Sequence, residues 1–132
     1  MGAQQQQKQL VLILARAFVS NLATPALVAD TRGVLVFYNE AAEAVVGRRF
    51  ADTGELPLDE WLAAFEPRTA GAEPVPAERR PSHLALAERR PAHLQYVVTS
   101  TDGVEREIEV TAIPLFAHAD EFVGIVTIFW RR

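Results

Sequence analysis

Few side chains in this sequence can do chemistry, and their spacing narrows the field further. The histidines are His83, His93 and His118. None has a partner at the i, i+4 spacing of a zinc-binding helix, so no metal site is expected. Ser82 and His83 are sequence neighbours whose side chains diverge. The chain also has no Gly-x-Ser-x-Gly elbow and no phosphate-cradling glycine loop, so no catalytic residue is predicted. Zero cysteines exclude disulfides, thiolate metal sites, cysteine nucleophiles and cysteinyl–flavin photochemistry. The pairs Arg79-Arg80 and Arg89-Arg90 suggest an anion site. Glu73, Glu78 and Glu88 stand close by in sequence, however, and a solvated mixed-charge surface is the expectation. What remains is apolar: Phe37, Trp61, Leu62, Phe65, Leu84, Tyr96, Val98, Val110 and Ile125. These are core residues first. If the core encloses a cavity, they are expected to line it, with Tyr96 supplying a hydroxyl tip.

The elements that would position this set follow from periodicity. Residues 1–9 read as a flexible polar lead. From 10 to 22, Val11, Leu14 and Phe18 step by three and four, and Leu10, Ile13 and Ala17 widen the stripe, which predicts an amphipathic helix. Thr24-Pro25 stops it. Residues 26–39 form a hairpin about Asp30-Thr31-Arg32-Gly33. Asn39 caps a short alanine-rich helix ended by Gly47, a cap whose loss should cost about 1 kcal/mol. A second helix is predicted over Pro57–Phe65, a loop over 66–80, and a third helix from Pro81.

Alternation then predicts a strand through Leu94, Tyr96 and Val98, a turn at Thr101-Asp102-Gly103, and a strand from Val104 that Pro114 closes. The last strand, Phe122–Trp130, is apolar on both faces. Val123, Ile125 and Phe129 fall on one, and Phe122, Val126, Ile128 and Trp130 on the other. Such a strand is central and covered from both directions. The octapeptide Ala77–Leu84 recurs as Ala87–Leu94, two copies being far short of a repeat array.

The chain's 132 residues, 49% hydrophobic and 23% charged, fit one globular domain rather than a disordered segment. A net charge of −4 argues against nucleic acid as a partner. The longest apolar run, Leu10 to Ala15, is far short of the about 20 residues a membrane span needs. The start fits neither a secretory signal nor a myristoylation site, which wants Ser or Thr where Gln6 stands. A soluble cytoplasmic protein is expected. Lys8 is the only lysine among 13 basic residues, a bias typical of coding in a GC-rich genome.

Four stretches in order resemble the PAS family. They are Pro25–Asp30 with Gly33, then Val36-Phe37-Tyr38-Asn39-Glu40-Ala41-Ala42-Glu43 with Gly47. Thr101–Leu115 follows, and Phe122–Trp130 closes the series. The resemblance covers about residues 23–130 with a break in the proline-rich loop. It implies an α+β fold: a five-stranded antiparallel sheet with short helices on one face and the N-terminal amphipathic helix on the other. The domain division is then a lead over 1–9, a dimerisation helix over 10–22 and the PAS domain over 23–132.

The function it implies is a non-enzymatic sensory and protein-interaction module in bacterial signal transduction. The module would dimerise through Leu10, Val11, Leu14 and Phe18. A small apolar ligand between sheet and helices is part of the expectation, and the signalling partner is not identified by the sequence. No effector domain flanks the segment, which suggests a stand-alone or excised sensor. One alternative is a haem sensor with His83 as axial ligand, or a non-covalent flavin sensor, although no cofactor is the leading expectation. Another is a ligand-free scaffold of the same shape.

Overall fold

Asp30 builds the first turn. Its Oδ1 accepts hydrogen bonds from the backbone N–H groups of Arg32 (2.9 Å) and Val34 (3.1 Å). Gly33 supplies the positive φ of 77° that the turn needs. The hairpin so closed, β1 (Ala26–Asp30) and β2 (Val34–Tyr38), opens an antiparallel sheet. The computed structural model describes residues 2–118 and 120–132. Its remaining elements are α1 (Gly2–Ser20), α2 (Glu40–Val46), α3 (Phe50–Thr53), β3 (Leu56–Pro57), α4 (Leu58–Ala63), α5 (Pro81–Glu88), β4 (Ala92–Thr99), β5 (Glu105–Phe116) and β6 (Phe122–Arg131).

The strand order is β3-β2-β1-β6-β5-β4. The strand that is apolar on both faces is therefore central, hydrogen-bonded to β1 on one side and β5 on the other. Odd positions Ile125 and Phe129 join Leu27 and Ala29 of β1 under α2, α4 and α5. Even positions Val126 and Ile128 join Ala26 and Val28 on the opposite face, where Val19 of α1 is fully buried among them. Burying that one valine contributes about 2 kcal/mol. Leu12, Ala15 and Leu22 pack around it, half-buried.

The sheet has six strands rather than five. The extra one is β3, two residues that pair with β2 at Val34 and Leu35; so short a strand leaves no alternation to read. The helix expected over 10–22 starts at Gly2 and ends at Ser20, so residues 2–9 continue the helix instead of forming a separate lead. β5 runs through Pro114 to Phe116 instead of stopping there. β4 pairs β5 only as far as Ala112, so Pro114 has no strand on that side to miss its N–H. Phe122 lies on the helix side with Phe129, not with Val126 as alternation predicts. A register shift where Leu115 and Phe116 face Gly124 and Phe122 reverses the pleat.

The 66–80 loop is tied down. The backbones of Arg68 and Val97 exchange both hydrogen bonds (2.9 and 2.8 Å), and Val75 is buried in the core. The loop thereby covers the free edge of β4.

Candidate functional site

Between the sheet and the helices, the core does not quite close. Leu27, Val45, Val46, Trp61, Leu62, Phe65, Ser82, Tyr96, Val98, Ile108, Val110, Thr127 and Phe129 surround a cavity of about 30 Å³, counted as room for the centre of a water molecule. Each wall has a local cause. Trp61, Leu62 and Phe65 point inward because α4 repeats its apolar positions at helical spacing, and Leu58 of the same turn is buried beside them. Tyr96, Val98, Ile108 and Val110 point inward because strands alternate. Ser82 and Thr127 face each other across the cavity wall with their hydroxyls 3.0 Å apart.

Four side chains bring polar atoms to the wall: Trp61, Ser82, Tyr96 and Thr127. The Trp61 indole N–H is buried without an acceptor. Tyr96 is almost wholly buried, and loss of water pushes its phenol up to about 12, with the nearby positive charge of Arg80 pulling the other way. The phenol is neutral at any physiological pH. Arg80 itself is only 9% exposed. Among the described residues its side chain has no carboxylate partner and no hydrogen bond, and its Nε is buried and unsatisfied. This corrects the expectation of a solvated mixed-charge surface at Arg80, while Arg79 is exposed as expected. The equivalent residue of the second octapeptide, Arg90, is exposed and held by Glu88.

Six of the nine residues expected to line a pocket do surround the cavity: Trp61, Leu62, Phe65, Tyr96, Val98 and Val110. Ile125 is buried in the same core but does not reach the cavity. Phe37 is on the wrong face. It packs with the α1 cluster, under the Arg16 guanidinium at 4.6 Å, because a register shift against β1 reverses the pleat between Leu35 and Tyr38, which both take the inner side and leave Val36 and Phe37 outside. Leu84 is half-buried and borders a surface dip with Glu88 and His93, since Ser82 and Ala85 hold the inward face of α5.

Sequence reasoning missed Leu27, Val45, Val46, Ser82, Ile108, Thr127 and Phe129 as lining residues. Thr127 carried a signal, being the one hydroxyl within an otherwise apolar strand.

His83 neighbours Ser82 but is turned away from the core and is absent from the cavity wall. It cannot act as an axial ligand from there. A cavity of about 30 Å³ holds roughly two waters. Neither a haem nor a flavin fits among these side chains. His93 is engaged by the Thr111 hydroxyl (2.7 Å) and Glu109 (3.1 Å) on the outer face of the sheet. Among the described residues, no group of three His, Cys, Asp or Glu could hold a metal ion, and no helix is long and apolar enough to cross a membrane.

The other notable surface belongs to α1. While Val19 is buried, Leu10, Ile13, Leu14 and Phe18 are 53%, 62%, 58% and 63% exposed. Val11, Leu14, Ala15 and Phe18 form one wall of an open groove of about 380 Å³ whose other wall is Ile113, Leu115, Val126 and Ile128 of the sheet. All eight side chains are apolar. Of the four residues expected at an interface, Leu10, Leu14 and Phe18 are thus open to solvent, and Val11 is half-buried at the groove.

Comparison with known proteins bears on the fold. A family model described as the PAS fold matches residues 19–131. No curated protein matches the chain by sequence. Among solved structures, the PAS domain of BvgS from Bordetella pertussis is similar with a TM-score of 0.62 and 20% identity, over 92% of this chain and 84% of that one. The LOV domain of the blue-light activated histidine kinase EL346 from Erythrobacter litoralis gives 0.65 at 18% identity, over 84% and 97%. The PAS domain of the fruit-fly ELK potassium channel gives 0.66 at 9% identity, over 91% and 95%.

Proposed function

The chain belongs to the PAS fold family, and on that premise we propose that it is a sensory and interaction module that dimerises through α1. In this reading a small molecule held between the sheet and the helices adjusts the dimer. PAS domains are sensory units, the matched family is not an enzymatic one, and the module works by changing shape rather than bonds.

The observation that carries the reading is the second apolar face of α1. A lone helix needs one apolar stripe to dock on its own sheet, and Leu12, Ala15, Val19 and Leu22 provide it. Leu10, Leu14 and Phe18 are surplus to that task and stand beside an open apolar groove. A two-fold axis at α1 would lay Phe18 of each copy against the groove of the other, burying both patches at once. β6 gives the route of coupling. Thr127 and Phe129 touch the cavity, while Val126 and Ile128 touch α1 and the groove. A ligand that shifts β6 therefore shifts the floor of the interface. The same reading places the protein in the cytoplasm of a bacterium, with support from the bacterial signalling proteins among its structural neighbours.

Light scattering on the full chain is expected to give twice the 14.6 kDa chain mass for the unaltered protein. Phe18→Glu should give the single-chain mass with a nearly unchanged melting temperature, because the residue makes little contact within its own chain. An unaltered protein that stays monomeric at every accessible concentration would remove the dimer. A second reading, a ligand-free scaffold, is favoured by the small size of the cavity. Native mass spectrometry of freshly purified protein separates the two by the presence or absence of added mass.

A further inference from the structure

The wall of the cavity between sheet and helices carries no charge. Leu62, Phe65, Val98 and Phe129 are hydrocarbon, and Tyr96, the one wall residue able to ionise, is held as the neutral phenol by its burial. An ion in this space would lose its water and meet no opposite charge, a cost that excludes carboxylates and amines as occupants.

Hydrogens without an acceptor set the second constraint. Trp61 lines the cavity, and its Nε1 is buried with no hydrogen-bond partner among the described residues. An indole N–H only donates, so no rearrangement of its own satisfies it. Ser82 of α5 and Thr127 of β6 line the same cavity and share one hydrogen bond of 3.0 Å. Whichever donates, the hydroxyl hydrogen of the other is left over among the described residues. Both groups border one space of about 30 Å³, room for roughly two waters. A molecule of a few heavy atoms spans it.

From these constraints we propose that the ligand is a short neutral ketone, its oxygen accepting from Trp61 Nε1–H and the Ser82–Thr127 hydroxyl pair and its carbons lying against Leu62, Phe65 and Val98. The inference rests on the ligand-binding part of the function proposed above. A carbonyl oxygen has two lone pairs and no hydrogen, which answers both unmet donors at once. An alcohol would bring a further hydrogen to place, and a hydrocarbon would leave both donors stranded. Thr127 stands on β6, so a ligand it holds is held by the strand whose other face touches α1.

The test uses the ¹⁵N-labelled full chain, with Trp130→Phe to assign the Trp61 indole resonance. 2-Butanone should move that N–H proton downfield in a saturable way and raise the melting temperature. Two molecules of the same shape serve as controls. 2-Methyl-1-butene replaces the oxygen by CH₂, and sodium propionate adds the charge; neither should saturate at concentrations where butanone does. Ser82→Ala with Thr127→Val keeps the shape of the wall and should weaken butanone about fivefold. Should that pair fold poorly, Trp61→Phe should lower butanone affinity by a similar factor, read by melting temperature. Equal binding of 2-methyl-1-butene would overturn the carbonyl while leaving a ligand-binding module in place. Propionate binding as tight as butanone would overturn the requirement for a neutral molecule. A Trp61 shift that grows linearly with butanone and never saturates, or no shift at all, would overturn this inference. Native mass spectrometry of the freshly purified protein would still judge ligand binding as such, and the mass of Phe18→Glu would still judge the dimer.

Discussion

Gly124→Ala is expected to be among the most destabilising single substitutions this fold can suffer. Gly124 sits in β6 opposite Asp30 of β1. A methyl group there would meet the Ala29 carbonyl oxygen at 2.3 Å, with the Asp30 Cα at 3.2 Å and the Ala29 carbonyl carbon at 3.3 Å behind it. All three are backbone atoms in the middle of a sheet, so no side chain can swing aside. The two strands must part or the register must slip, and either change disturbs the cavity face and the α1 face together. A cost of about 4 kcal/mol is expected, out of the roughly 10 kcal/mol a domain of this size holds. That corresponds to a fall of roughly 15 °C in melting temperature. Gly71→Ala is the control, since its methyl would meet only the Thr69 hydroxyl at 3.7 Å; its effect should stay within about 0.5 kcal/mol. Circular dichroism melts of the three proteins decide the matter. An unchanged melt for Gly124→Ala would mean that β1 and β6 are not paired at this point.

Asn39→Ala should cost about 3 kcal/mol, not the about 1 kcal/mol of an ordinary helix cap. The side chain is 1% exposed. Its Oδ1 accepts from Ala42 N (2.9 Å), which is the cap, and also from Ala26 N (3.1 Å) at the start of β1. Its Nδ2 donates to Val19 O (3.0 Å) and Thr24 O (2.9 Å). One amide thus fastens the C-terminal end of α1 to β1 and α2. Removing it strands buried groups on three elements, each with a desolvation cost, and a drop of roughly 10 °C in melting temperature is expected. Asn39→Asp sharpens the test. At an exposed cap the two residues are equivalent. Here the carboxylate cannot donate, and it would face the Val19 and Thr24 carbonyls, so the loss should at least equal that of alanine. If Asn39→Asp melts like the unaltered protein, the amide is a cap and nothing more.

These two residues mark how far the sequence could be read. The central strand was legible because a stretch apolar on both faces has only one comfortable place in a sheet, and β6 takes it. Asn39 was legible as a cap because capping is local. Its bonds to Val19 and Thr24 join residues far apart in the chain, and no spacing rule announces them. α3 is a single turn, held where Glu43 accepts from Phe50 N at 2.8 Å, too short for periodicity to register.

The cavity wall was legible where helical or alternating spacing fixed a face, as at Trp61, Phe65, Tyr96 and Val98. It failed where every residue is apolar and parity alone decides, as at Leu27, and at Phe37, where a register shift against β1 reverses the pleat. The arginines show the limit most clearly. Two near-identical octapeptides bury Arg80 and expose Arg90, because Pro81 begins a helix while Arg89 takes a left-handed conformation and leads into β4.

The absence of native cysteine permits the measurement that bears most directly on the central claim, that the outward face of α1 is an interface between two copies. A single cysteine at exposed Gln6, spin-labelled, places one reporter on each α1. Pulsed electron–electron resonance should then return one narrow inter-spin distance, and Phe18→Glu should abolish it. A decay with no dipolar modulation in the otherwise unaltered protein would contradict the dimer, and with it the proposed route of signalling through β6.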